Sequence, residues 1–134
     1  MSSTSNQIPD DLKFLASHEW ARQLDNGEIE IGISDHAQEA LGELVFVELP
    51  DIGDNFAAGA ETAVVESVKA ASDIYCPVAG TITATNDQLE ESPELVNQQP
   101  YADGWLFRLQ PSNADELTSL LDATSYAASL DSEA

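Results

Sequence analysis

In VVESVKAASD, residues 64–73, Lys69 stands between two carboxylates, Glu66 three positions before it and Asp73 four after. Lysine is scarce here: the chain has two, Lys13 and Lys69, among four basic residues set against 25 acidic ones. A primary amine offers two kinds of chemistry, nucleophilic attack or acceptance of an acyl group. The first needs the neutral amine, and an ordinary lysine is neutral in only about one molecule in a few thousand at pH 7. Raising that fraction takes desolvation or a neighbouring cation. Neither is supplied, because the charged neighbours are acids and the small residues Ala70, Ala71 and Ser72 leave the side chain hydrated. The pattern argues against Schiff-base chemistry. It suits a lysine held out on a rigid hairpin, recognised by another enzyme and acylated by an activated donor. The plain alternative is an exposed lysine that aids solubility.

Few other residues form a reactive set. His18, Glu19 and Trp20 lie together in SHEW, which reads most simply as a core tryptophan beside a hydrogen-bonded histidine. His36 falls in the first turn of an expected helix. Two histidines and a lone Cys76, far apart in the chain, lack metal-ligand spacing, so no metal site is expected. Neither a glycine-rich phosphate loop nor a Ser-His-Asp arrangement is present, and no catalytic residue is assigned.

The elements that must hold Lys69 in place are mostly strands. In EIEIGI, Ile29, Ile31 and Ile33 alternate with Glu28, Glu30 and Gly32, the period of a half-buried strand. DNG at 25–27 precedes it, and HEWARQL reads as its hairpin partner. ELVFVEL, ETAVVESV, GTITATN and GWLFRLQ add further strands, with ELVFVEL and GTITATN expected in the sheet core. Turn signals LPDIGD, CPVAG and YADG separate them. Gly80, eleven residues after Lys69, is expected to turn the chain at positive φ. SDHAQEALG offers Ser34 or Asp35 as a helix N-cap and Gly42 as its stop. Asn113 with Glu116 three residues on is a capping-box pattern, followed by an apolar stripe of Leu117, Leu120 and Leu121. ATSYAASL reads as a second short C-terminal helix. Many short strands with peripheral helices imply antiparallel sheets, as a sandwich or a flattened barrel.

At 134 residues the chain fits one domain, expected over 10–131 behind a disordered polar tail at 1–9. The formal charge of −21 sets nucleic acid and anionic membranes aside as partners and favours proteins with basic docking faces. One cysteine permits no internal disulfide. No apolar run approaches a membrane span. MSSTSNQIPDD resembles neither a secretory signal nor a transit peptide, so a cytoplasmic protein is expected; a bacterial source and a monomeric state are expected separately.

VVESVKAASD resembles the lipoyl-attachment hairpin of the glycine cleavage system H protein family. SHEW at 17–20, GISDHAQEALGELVFVELPDIGD at 32–54, CPVAGTI at 76–82, SPELVNQQPYADGWLFRL at 92–109 and ELTSLLDATSY at 116–126 resemble further family segments, in the family's order. The resemblance runs from about Leu12 to Leu130. It implies a mostly β fold, a lipoyl/biotinyl-type flattened barrel-sandwich hybrid of antiparallel sheets with a few short peripheral helices, C-terminal ones among them. It implies lipoate as a covalent cofactor on Lys69, in a shuttle that is not itself an enzyme. The arm accepts an aminomethyl group from a pyridoxal-phosphate glycine decarboxylase, presents it to a tetrahydrofolate-dependent aminomethyltransferase and is reoxidised by dihydrolipoamide dehydrogenase. Glu66 and Asp73 are implied in recognition by the lipoylating enzyme, and Glu19 lies near the cleft where the loaded arm folds back. Some relatives carry a second histidine four positions beyond His36, where this chain has Ala40.

Three rivals use related features. Biotin carriers flank their lysine with methionines, whereas Lys69 has Val68 and Ala70. Lipoyl domains of 2-oxo acid dehydrogenases are shorter, carry DKA at the tip and hang from long acyltransferase chains. A lipoate relay or lipoylated scaffold outside glycine cleavage is the alternative function.

Overall fold

The computed structural model describes residues 11–133, and the tail expected at 1–9 lies outside the described residues. Strands β1 (Lys13–Phe14), β2 (Glu19–Gln23) and β3 (Ile29–Ile33) are followed by helix α1 (Asp35–Leu41). Then come β4 (Leu44–Glu48), β5 (Asn55–Phe56), β6 (Glu61–Ser67), β7 (Ala71–Tyr75) and β8 (Gly80–Thr85). The short helices α2 (Gln88–Glu91) and α3 (Leu95–Gln98), strand β9 (Phe107–Pro111), a 3-10 turn (Ala114–Ser119) and α4 (Ala123–Glu133) complete the order. Every named strand pairing is antiparallel. One sheet runs β1-β2-β3-β9-β8-β5, the other β4-β6-β7. Their inner faces share one apolar core, in which Ile29, Ile31, Ile82 and Leu109 of the larger sheet join Val47, Val65 and Ile74 of the smaller. The expected flattened sandwich of antiparallel sheets is the fold observed. No helix among the described residues is long and apolar enough to cross a membrane.

β3 departs from its half-buried pattern, because all five of its residues are buried. Its outer face is covered by side chains from both neighbouring strands. Trp20 pairs with Gly32 and lies so close that a Cβ on Gly32 would come within 2.5 Å of the indole. Glu30 is bound by Arg22 at 2.9 Å and by Arg108 at 2.8 Å, and each guanidinium also lies over a tryptophan, Trp20 or Trp105. A second apolar cluster of Leu12, Phe14, Trp20 and Tyr126 fastens α4 to this side, with the Phe14 and Tyr126 rings stacked 4.3 Å apart.

Three local expectations change. ELVFVEL is only half in the core: Leu44 and Val47 are buried while Val45 and Phe46 are exposed. Gly80 is absent from the glycines at positive φ; it sits at the start of β8, where a Cβ would lie 2.5 Å from the Gln110 carbonyl oxygen. Its role is close strand approach. The capping box does not close, because the Glu116 carboxylate accepts the Ala79 N–H at 2.8 Å and the segment winds as a 3-10 turn. Asn113 does cap it, accepting from the Asp115 N–H at 3.0 Å.

Candidate functional site

β6 and β7 form a hairpin whose tip is Val68-Lys69-Ala70. Ser67 closes it: its N–H donates to the Ala70 carbonyl at 2.8 Å, and its hydroxyl oxygen accepts from the Ala70 N–H at 3.1 Å and the Lys69 N–H at 3.3 Å. A serine at this position thus replaces the missing strand partners and makes the turn rigid. Lys69 projects from it exposed, and its side chain leans over Gly42, the C-cap of α1. A Cβ on Gly42 would lie 3.2 Å from Lys69 Cε and 3.7 Å from Nζ. Gly42 also takes φ +84°, a region that disfavours other residues.

The floor under the lysine is itself fastened. Asn97, at the end of the chain's third short helix, donates through Nδ2 to the Gly42 carbonyl at 2.9 Å and to Gln38 Oε1 at 3.0 Å. Its Oδ1 accepts from the Leu44 N–H at 2.9 Å. Ser34 caps the start of α1, accepting from the Ala37 N–H at 3.2 Å, as its sequence leads one to expect. Gly42 was legible as a helix stop, but its contact with Lys69 and the service of Asn97 depend on distant chain segments and carry no local signal.

The two acids flanking Lys69 in sequence do not flank its ammonium. Glu66 pairs with Ala71 and Asp73 with Val64, which puts both carboxylates on the outer face of the small sheet as diagonal neighbours. Glu19 lies elsewhere, almost wholly buried. The Ser17 hydroxyl donates to one of its oxygens and the Tyr75 N–H to the other at 2.8 Å, so β2 is tied to β7. Burial raises its pKa, against the opposing pull of those two donors. Beside it, His18 contacts the Tyr126 hydroxyl at 2.8 Å, Ser34 contacts the same hydroxyl at 2.6 Å, and the His18 and His36 rings lie 4.7 Å apart. Trp20 and His18 are therefore packed as SHEW suggests, and His36 is half-buried rather than a free surface residue. Cys76 is buried, donates to the Val78 carbonyl at 3.0 Å, and has its thiol pushed up to about 11, chiefly by burial. That thiol is inert at neutral pH. Among the described residues no group of three or more His, Cys, Asp or Glu is placed to hold a metal.

Comparison with known proteins adds to this geometry. The family model described as glycine cleavage H-protein matches residues 12–133. A glycine cleavage system H protein of Shewanella denitrificans is 60% identical over 119 residues, 89% of this chain and 92% of the relative. One from Psychrobacter is 54% identical over 93% of this chain and 99% of its own length. The crystal structure of a glycine cleavage system H protein from Mycobacterium marinum superposes with a TM-score of 0.84 at 37% identity, covering 92% of this chain and 99% of that one.

Proposed function

The chain belongs to the glycine cleavage H-protein family, and from that premise we propose that the family's lipoyl arm is carried on Lys69. The protein is a lipoyl carrier of glycine cleavage, and the relay or scaffold alternative is not favoured. The observation that carries the attachment reading is the exposed amine at the tip of a hairpin locked by Ser67. The residues present fit an amide-linked group. The stem runs over a glycine, where a side chain would crowd Cε and Nζ, and Ser67 ties the turn together. When bound, lipoate would supply a dithiolane at the end of a long arm, the chemistry that other enzymes of the system act on.

The arm reaches roughly 14 Å from the Lys69 Cα by standard bond lengths. β7 leads from the hairpin tip towards Tyr75, whose N–H is held by Glu19. That placement supports Glu19 as a group on the side towards which a folded-back arm points. Glu66 and Asp73, on the outer face, are available to the lipoylating enzyme instead. We assign the partners as glycine decarboxylase, aminomethyltransferase and dihydrolipoamide dehydrogenase, visited by a monomeric carrier that leaves catalysis to them.

The test is Lys69→Arg, which keeps the charge and much of the stem but lacks a primary amine able to form a stable amide. Stability should change by no more than about 0.5 kcal/mol, since the site is an exposed turn. Intact mass after lipoylation should show no gain, and glycine–bicarbonate exchange with the decarboxylase should be absent. A folded variant that still gains a lipoyl group would place the arm elsewhere.

A further inference from the structure

Of four large apolar side chains that stand exposed among the described residues, three gather beside Lys69: Val45 at 53%, Phe46 at 50% and Val68 at 86%. A specific irregularity puts them there. Strict alternation along β4 would send Leu44 and Phe46 to one face and Val45 and Val47 to the other. The register shifts between Leu44, opposite Ser67, and Phe46, opposite Glu66. The bulge turns Val45 and Phe46 outward together, while Leu44 and Val47 both stay in the core. Phe46 thus lies across from the last residues of β6, and Val68 immediately precedes the lysine. Around this apolar ground stand Glu43 and Glu48, both exposed, and half-buried Glu66.

We propose that Val45, Phe46 and Val68, rimmed by Glu43, Glu48 and Glu66, are the docking surface for the enzyme that lipoylates Lys69, whose matching face is an apolar depression bordered by basic side chains. The inference rests on the reading of Lys69 as the attachment site. Reach selects this partner over the others. In the acylation, neutral Nζ attacks the carbonyl carbon of an activated lipoyl donor; an amide forms, the donor's leaving group departs, and the amine loses one proton. That enzyme must bring its reacting centre to Nζ itself, so its surface must cover the tip and the adjoining Val68 and Phe46. An enzyme that works on the far end of the arm meets its substrate roughly 14 Å from the Lys69 Cα and has no need of the patch. Charge selects the chemistry of the partner's face, because the rim is wholly acidic on a chain of formal charge −21. The same charge opposes a second copy of this chain as the occupant.

The experiment compares Phe46→Ser/Val68→Ser with Ile52→Ser, which removes the fourth exposed apolar side chain, in the turn between β4 and β5. Each full-length unlipoylated protein is given a lipoate–protein ligase, lipoate and ATP, and kcat/KM is read from intact mass. The double variant should lose at least about tenfold, through KM, with an unchanged melting temperature; Ile52→Ser should stay within about twofold. Once loaded by prolonged reaction and reduced chemically to the dithiol, the double variant should be reoxidised by dihydrolipoamide dehydrogenase and NAD+ at a rate within about twofold of the unaltered protein. Wild-type kcat/KM in the double variant would overturn the docking surface, as would an equal loss in both assays. Self-association of the unaltered protein that the double variant abolishes would overturn it in favour of a second copy. Lys69→Arg separates the two readings: a mass gain there would remove the attachment site itself, whereas an unaffected patch variant with a blank Lys69→Arg removes only the docking proposal.

Discussion

Glu19 gives up nearly all contact with water yet keeps both carboxylate oxygens partnered, by the Ser17 hydroxyl and the Tyr75 N–H. Burial outweighs those donors and raises its pKa above 4.5, so the folded form binds this proton more tightly than the unfolded chain. Its stabilising contribution is therefore complete below the unfolded-state pKa and is lost as pH rises through the folded one. Glu19→Gln removes the titration while an amide can still accept from Tyr75. The stability of the unaltered protein minus that of Glu19→Gln should accordingly fall as pH is raised from about 4 towards 7 in urea titrations. A flat difference would mean the carboxyl titrates alike in both states. Glu19→Ala also orphans the Tyr75 N–H and should be less stable than Glu19→Gln by about 2 kcal/mol at any of these pH values. Legibility at this scale followed rarity. Lys69 announced itself because lysines are few, whereas Glu19 was readable as a site residue only through family resemblance, since nothing in SHEW says that a charged side chain will be buried.

The β8–β9 pair shows what element-scale reading missed. At Gly80 a Cβ would meet the Gln110 carbonyl oxygen at 2.5 Å and Leu109 Cδ1 at 2.7 Å. The first of these is backbone, so the strands themselves must part. Gly80→Ala should destabilise by about 1–3 kcal/mol, the usual range for overpacking, with the loss read from thermal or urea unfolding. An unchanged midpoint would show that β8 can shift without loss. A glycine in CPVAG signals a turn from its neighbours alone, and the neighbour that decides its role arrives thirty residues later in β9. The hairpin β2–β3 was legible because alternation and turn residues agree within one segment. β1 and β5, two residues each, are too short for any period to show. β4 was read as core because Leu44-Val45-Phe46-Val47 is an unbroken apolar run, and the bulge that exposes half of it is set by its register on β6.

Charge placement organises the whole molecule around one point. Arg22 and Arg108 both bind Glu30, and Lys13 is half-buried on β1, so of the four basic residues only Lys69 is exposed rather than half-buried. The fold thus spends its arginines on an internal acid and leaves a strongly anionic exterior with a single cation at the tip of the hairpin. Acylation of that amine would take the formal charge from −21 to −22, since the amide is neutral. Such a field reaches a partner before any contact forms, and it is screened within about 10 Å at 0.1 M salt. Association of the lipoylated carrier with glycine decarboxylase should therefore slow by about tenfold or more between roughly 20 and 500 mM salt, with a smaller change in dissociation. Stopped-flow association at a series of salt concentrations measures this directly. The dependence should persist in the double variant of Phe46 and Val68, because long-range attraction depends on net charge and that variant alters none. An association rate indifferent to salt would mean that the anionic surface serves solubility alone, and that short-range contacts at the arm and hairpin carry recognition by the decarboxylase.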